Sequence, residues 1–155
     1  MKIKIICFGK LDKKFYIDAF NDYFKRLEKY IDLEVIELKE EINGELNKIK
    51  EENSNLLLNK LENYKDFEKI ILDVNSKLIS TENLVDIIQT NLNYKNAKIL
   101  FVIGPSDGYS EKFLNYFNNK ISLAKITLPH QLCRIVLIEQ IYRVFKIIKN
   151  EKYHK

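Results

Sequence analysis

The last third of the chain holds both histidines, His130 and His154, the arginines Arg134 and Arg143, both prolines and two of the four glycines. Imidazole exchanges a proton near neutral pH, and a guanidinium holds a phosphate or stabilises negative charge as it develops. Such residues suit positioning, charge stabilisation and proton transfer. They do not suit covalent or metal chemistry. Ser106 has no G-x-S-x-G elbow around it, and two histidines with two widely separated cysteines, Cys7 and Cys133, make no zinc ligand set.

A second feature with chemical content is the loop Gly104-Pro-Ser-Asp-Gly108, directly after the apolar run Ile99 to Ile103. A glycine at the end of a buried strand lets a ligand or another backbone approach closely, and Asp-Gly is turn chemistry. A tight strand-to-helix turn satisfies the same pattern. The loop matches neither G-x-G-x-x-G nor a P-loop with its Lys-Ser/Thr, which disfavours nicotinamide cofactors and nucleoside triphosphates.

The stretch from about His130 to Lys149 predicts a helix opened by Pro129, with His130 and Gln131 in its first turn. On its own, a histidine there is more often a capping or satisfied surface residue than a catalytic one. Glu139, Arg143, Lys146 and Asn150 form one polar stripe, and apolar residues fill most of the remaining circumference. Such a helix is covered on more than one side, either by a second copy in a homodimer or by a thicker core of its own. Arg134 falls among Leu137, Ile138 and Ile141 instead of on the stripe, so its guanidinium needs a carboxylate, a phosphate or backbone carbonyls.

The elements that position these residues alternate. Strand patterns occupy residues 2–8, 33–38, 67–74, 98–103 and 121–128; helical patterns occupy 13–31, 46–61, 81–92 and 110–117 before the final helix. Strands separated by helices require crossover connections, so the fold class is α/β, a mainly parallel sheet with helices on both faces. In such sheets the ligand crevice lies beyond the carboxyl ends of the strands, at the loops after Leu72, Ile103 and Ile126.

At 155 residues with no linker composition, the chain is expected to form a single domain over 1–155. The N-terminal apolar run is too short for a signal peptide and no stretch approaches a membrane span, so a cytoplasmic protein with reduced thiols is expected. Residues 120–155 carry eight Lys/Arg against two Asp/Glu, a balance of +6 within a net charge of +4. A basic end of this kind suits an anionic partner, or is a solvated face.

The strings Phe101-Val-Ile-Gly-x-Ser-x-Gly108, Leu128-Pro-His-Gln131, Arg134-Ile-Val-Leu-Ile-Glu-Gln-Ile-Tyr-Arg143 and Tyr153-His-Lys155 closely resemble the RlmH family. These are SPOUT-class methyltransferases acting on N3 of a pseudouridine in large-subunit ribosomal RNA, and the resemblance runs from Met1 to Lys155. It implies a C-terminal trefoil knot, a homodimer, S-adenosylmethionine as methyl donor, and ribosomal RNA within a large subunit or assembled ribosome as partner. It assigns cofactor contacts to Leu72, Gly104 and the run Leu123, Ala124, Lys125, Ile126, Thr127, Leu128. It sets His130, Arg134, Arg143, Tyr153 and His154 near the RNA base, with the partner subunit as one source of Tyr153 and His154. Other readings of the same fold are a non-catalytic RNA-binding module and a SPOUT enzyme acting on tRNA. One departure stands out. Relatives usually carry Gly-Gly-Ser-x-Gly, whereas Pro105 here removes an amide N–H and excludes a positive φ.

Overall fold

The computed structural model describes residues 1–153. Its five strands are β1 (Lys2–Phe8), β2 (Asp32–Leu38), β3 (Glu68–Leu72), β4 (Lys98–Ile103) and β5 (Lys120–Ile121), in the spatial order β2-β1-β4-β3-β5 with every pairing parallel. The helices are α1 (Lys14–Leu27), α2 (Leu46–Leu61), α3 (Thr81–Tyr94), α4 (Glu111–Tyr116) and α5 (His130–Ile148).

The central strands are apolar on both faces because both are covered. Ile3, Ile5, Cys7, Ile70, Leu72, Ile99 and Phe101 pack with α1, α3 and α5. The alternate residues Ile6, Phe8, Ile71, Leu100 and Val102 pack with α2 and α4. The period of two along each strand thus assigns each side chain to one core.

One expectation changes. β5 was expected over 121–128 but ends at Ile121. A strand needs a ladder partner, and β3 turns away after Leu72: Asp73 accepts hydrogen bonds from the Asn75 amide (3.2 Å) and the Ser76 hydroxyl (2.8 Å). The loop returns only to clasp Ser122, whose amide donates to Lys77 O and whose carbonyl accepts from the Ile79 amide, each at 2.9 Å. The Ser122 hydroxyl then donates to Ala124 O (2.6 Å) and bends the chain out of line.

Helix α5 is covered in part by its own chain. Its buried residues Leu137, Ile138, Ile141, Tyr142, Val144 and Phe145 are covered by the chain's own sheet, α1 and α3. The chain's own core thus covers one broad side of α5, while Leu132 and Val136 stay only partly buried and Ile147 is 48% exposed.

Helix α2 carries polar residues that are buried for a reason. Asn53 is fully buried and grips the main chain of Glu41, accepting from its amide and donating to its carbonyl at 2.9 Å each. Ser54, next to it, accepts from the Ser110 amide (2.9 Å), and Ser110 in turn caps α4 through the Phe113 amide. These bonds fix the loops that follow β2 and β4 on one side of the sheet's carboxyl end.

Candidate active site

A cavity of about 720 Å³ opens at the carboxyl ends of β3, β4 and β5. Its floor is Leu72 and Ile103, and one wall is the loop Gly104 to Tyr109. The other is the irregular segment from Ser122 to Pro129, leading into His130 and Cys133 on α5. Of the residues assigned to the cofactor, Leu72, Gly104, Leu123, Ala124, Ile126, Thr127 and Leu128 all line it. Lys125 is exposed and does not.

The failure of β5 to continue is what equips this wall. Among the described residues, no backbone amide from Leu123 to Leu128 donates a hydrogen bond within the protein. An apolar cavity edged by unused main-chain donors suits a ligand with an aromatic heterocycle and a carboxylate. S-adenosylmethionine has both, and the volume lies in the range of small-molecule sites.

Gly104 works differently from its sequence reading. The group that comes close is the protein's own Tyr109: a Cβ at position 104 would lie 2.7 Å from Tyr109 Cζ and 3.0 Å from its hydroxyl. That ring stacks on Phe113 with centroids 4.8 Å apart, and its hydroxyl lies 3.0 Å from Leu72 O and 3.2 Å from Val102 O. Burial pushes the Tyr109 phenol well above its usual range, which keeps it a neutral donor. Tyr109 thus ties the ends of β3 and β4 together under the cavity. Aromatic spacing in the helix signal does not reach it, since it precedes α4. Gly104→Ala is expected to expel the ring and destabilise the protein by ~1–3 kcal/mol, read from urea unfolding.

Pro105 is accommodated. Gly104 does not adopt a positive φ, Pro105 O accepts the Gly108 amide (3.0 Å), and Gly108 takes the left-handed φ of +82°. The outward contact of the loop is made by Ser106, whose amide donates to Glu40 Oε1 (2.6 Å).

His130 sits at the mouth, with Nδ1 3.4 Å from Ser106 Oγ and Nε2 facing Gly9. Arg134 does not share that mouth. It is 2% exposed, donating to Glu37 Oε1 (2.6 Å) and Gly9 O (2.8 Å). Its partner is a carboxylate on β2, and the pair anchors the β1–α1 loop. Gln131 grips the same loop by a reciprocal pair, accepting from the Asp12 amide (3.1 Å) and donating to Asp12 Oδ1 (2.9 Å). This bond, first, holds the Asp12 carboxyl below its ordinary value.

Arg143 and Tyr153 meet elsewhere, on the outer face of α5. Glu139 Oε1 accepts from Arg143 Nη2 (2.7 Å) and from the Tyr153 hydroxyl (2.8 Å), and the guanidinium lies 4.3 Å from the Tyr153 ring centroid. Burial first, then the bond to Glu139, raises the Tyr153 phenol. Neither residue lines the cavity. His154 lies outside the described residues.

The tail is held just before Tyr153 by Glu151, which accepts from Lys146 and from the Tyr30 hydroxyl (2.7 Å). Those bonds lower the Glu151 carboxyl from 4.5 to about 2. A depressed carboxylate stabilises the docked tail above its unfolded value, and that contribution is lost as pH falls from about 4.5 toward 2. A carboxyl-carbon NMR titration should give a Glu151 midpoint near 2; a midpoint near 4.5 would mean that the tail is undocked.

No group of three or more His, Cys, Asp or Glu residues that could hold a metal occurs among the described residues, and no helix there is long and apolar enough to cross a membrane. Cys133, at the cavity wall, has its thiol pushed up to about 11 by burial.

A parallel sheet with a cavity at its carboxyl ends, closed by an irregular segment running into the last helix, is the arrangement of a SPOUT methyltransferase, and a family model described as predicted SPOUT methyltransferase matches residues 1–154. The ribosomal RNA large subunit methyltransferase H of Mycoplasma capricolum subsp. capricolum is 90% identical over 155 residues, and that of Mesoplasma florum 60%, each match covering both chains completely. The chain belongs to this family, RlmH, within the SPOUT methyltransferases. The protein of the same name from Clostridium botulinum strain Okra is 42% identical and also covered in full. Among solved structures, a probable methylase family protein from Haemophilus influenzae Rd KW20 shares the fold, with a TM-score of 0.56 at 14% identity over 96% of this chain and 66% of that one.

Proposed function

We propose that residues 1–155 act as one domain that methylates N3 of a pseudouridine in 23S ribosomal RNA, with S-adenosylmethionine as donor. The observation that carries this reading is the cavity whose wall, Leu123 to Leu128, offers unused backbone amides beside His130. The names of the relatives support the ribosomal substrate. The trefoil threading and a cytoplasmic location belong to the same reading.

When bound, S-adenosylmethionine supplies a methyl carbon made electrophilic by its sulfonium, whose sulfur keeps the bonding pair. Leu72, Gly104 and the Leu123–Leu128 wall hold and orient the donor, and most of the acceleration comes from fixing the two reactants together. The N3 proton of the base must leave for its electron pair to form the new bond. His130 Nε2 accepts that proton and becomes imidazolium.

Arg143 and Tyr153 are grouped on a different face from the cavity. A homodimer that brings those residues and His154 of one copy to the cavity of the other unites them. They would hold the RNA and offset charge on the base oxygens. Phosphate contacts make docking fall with salt.

Calorimetric titration with S-adenosylmethionine, light scattering and mass-spectrometric mapping of ribosomal RNA from a deletion strain test this reading. The expected results are one donor per chain, a dimer, and loss of one methyl group from a large-subunit pseudouridine. A folded protein that binds no donor would be the non-catalytic module, and an unmodified tRNA in the deletion strain would mark the tRNA enzyme.

A further inference from the structure

We infer that Glu40 and Ser106 are positioning residues that fix the tautomer of His130, leaving Nε2 as the unprotonated nitrogen. This rests on the reading of His130 as the proton acceptor, and neither residue is part of the cofactor assignment.

The hydrogen-bond directions set the chain of inference. Glu40 is a carboxylate and only accepts. It takes the Ser106 amide on Oε1 (2.6 Å) and the Ser106 hydroxyl on Oε2 (3.1 Å). The single hydroxyl proton is thereby committed to Glu40, so Ser106 Oγ meets His130 Nδ1 at 3.4 Å as an acceptor. Nδ1 must then carry the ring proton, and in the neutral ring Nε2 has the lone pair. A proton acceptor needs a free lone pair, and Nε2 is the ring nitrogen that has one.

The Glu40 carboxylate is itself held in place. Buried Asn53 grips both main-chain polar groups of Glu41, so the carboxylate is presented from a fixed backbone and not from a wandering loop. On the far side of the ring, a Cβ at Gly9 would stand 4.0 Å from Nε2, and Gly9 has a left-handed φ of +68°. Arg134 fixes Gly9 through its carbonyl (2.8 Å). The ring is therefore oriented at Nδ1 by a hydrogen bond, while a Cβ at position 9 would only reach ordinary van der Waals contact with Nε2. Charged groups around the ring are Glu40 beyond Ser106, Asp12 on the β1–α1 loop, and Arg134 one turn along α5, which donates to Gly9 O.

The test is long-range proton–nitrogen NMR of the free, full-length ¹⁵N-labelled protein above the imidazole titration, with His154→Ala used only to assign the two histidines. Free neutral histidine favours protonation at Nε2, so wild-type His130 protonated at Nδ1 is the distinguishing result. Ser106→Ala and Glu40→Gln should both return it toward Nε2–H, and Ser106→Thr, which keeps the hydroxyl, should retain Nδ1–H. In single-turnover methylation, Ser106→Ala should slow the chemical step about tenfold, with KM for the RNA unchanged, less than the ~10²–10⁴-fold expected for loss of the base itself. A wild-type His130 protonated at Nε2, or a tautomer indifferent to Ser106→Ala, overturns the inference while leaving the proton-acceptor reading intact. An unimpaired His130→Ala removes that reading whatever the tautomer.

Discussion

Removing the carboxylate of Glu37 is expected to destabilise the protein by ~3–5 kcal/mol, more than any other single ion-pair change in the chain. Arg134 is 2% exposed and its Nε already has no hydrogen-bond partner, so Glu37→Ala leaves a buried guanidinium holding only Gly9 O. The converse change is milder. The Glu37 side chain is 31% exposed and reaches water once its partner is gone. Arg134→Met keeps the apolar stem among Leu137, Ile138 and Ile141 and should cost less than Glu37→Ala. Urea unfolding of the two variants gives the order directly. Equal and small losses would mean that the pair is solvated and that Arg134 is available to a substrate. By contrast, the exposed i,i+4 pairs Lys14–Asp18 and Arg26–Asp22 should contribute little, since water screens them.

His130→Ala is expected to lower single-turnover methylation by ~10²–10⁴-fold, with donor affinity retained and little loss of stability. The side chain is half-buried at the start of α5 and makes one long hydrogen bond, to Ser106, so its removal opens no core cavity. The donor wall Leu123–Leu128 is built from main chain and is untouched. A loss of donor binding in parallel with rate would show that His130 only supports the cavity. An unchanged rate in both His130→Ala and His154→Ala would remove general-base catalysis from the mechanism and leave proton release to solvent.

The order of elements and the two-faced sheet were legible in the sequence because each is a local periodic signal. Leu46–Leu61 and Lys98–Ile103 have the boundaries their patterns imply, and the parallel pairing follows from helices intervening between strands. The loops after Leu72 and Ile103 were legible for the same reason, since a parallel sheet has only one ligand-facing end; the third begins at Ser122 and not after Ile126. The Leu123–Leu128 segment reads as a strand, because its composition is right for one. Only the departure of β3 at Asp73 denies it a partner and leaves its amides unused.

The C-terminal cations show the same division. Their charge reads as a basic face, yet Arg134, Arg143 and Lys146 are each paired with a carboxylate, two of them on α5's own face or tail and one on β2. Glu37 lies 97 positions from Arg134, and Glu40 lies 66 from Ser106, separations at which no helical or strand period operates. Composition and periodicity by themselves determined the fold class, the face of the sheet each residue serves and the end at which a ligand enters. The tertiary structure alone decided that Gly104 makes room for Tyr109, that Arg134 is an anchor, and that Glu40 and Ser106 stand behind His130. Those outcomes depend on which distant loops meet, and that is set by crossover geometry and packing between elements that carry no sequence signal of their contact.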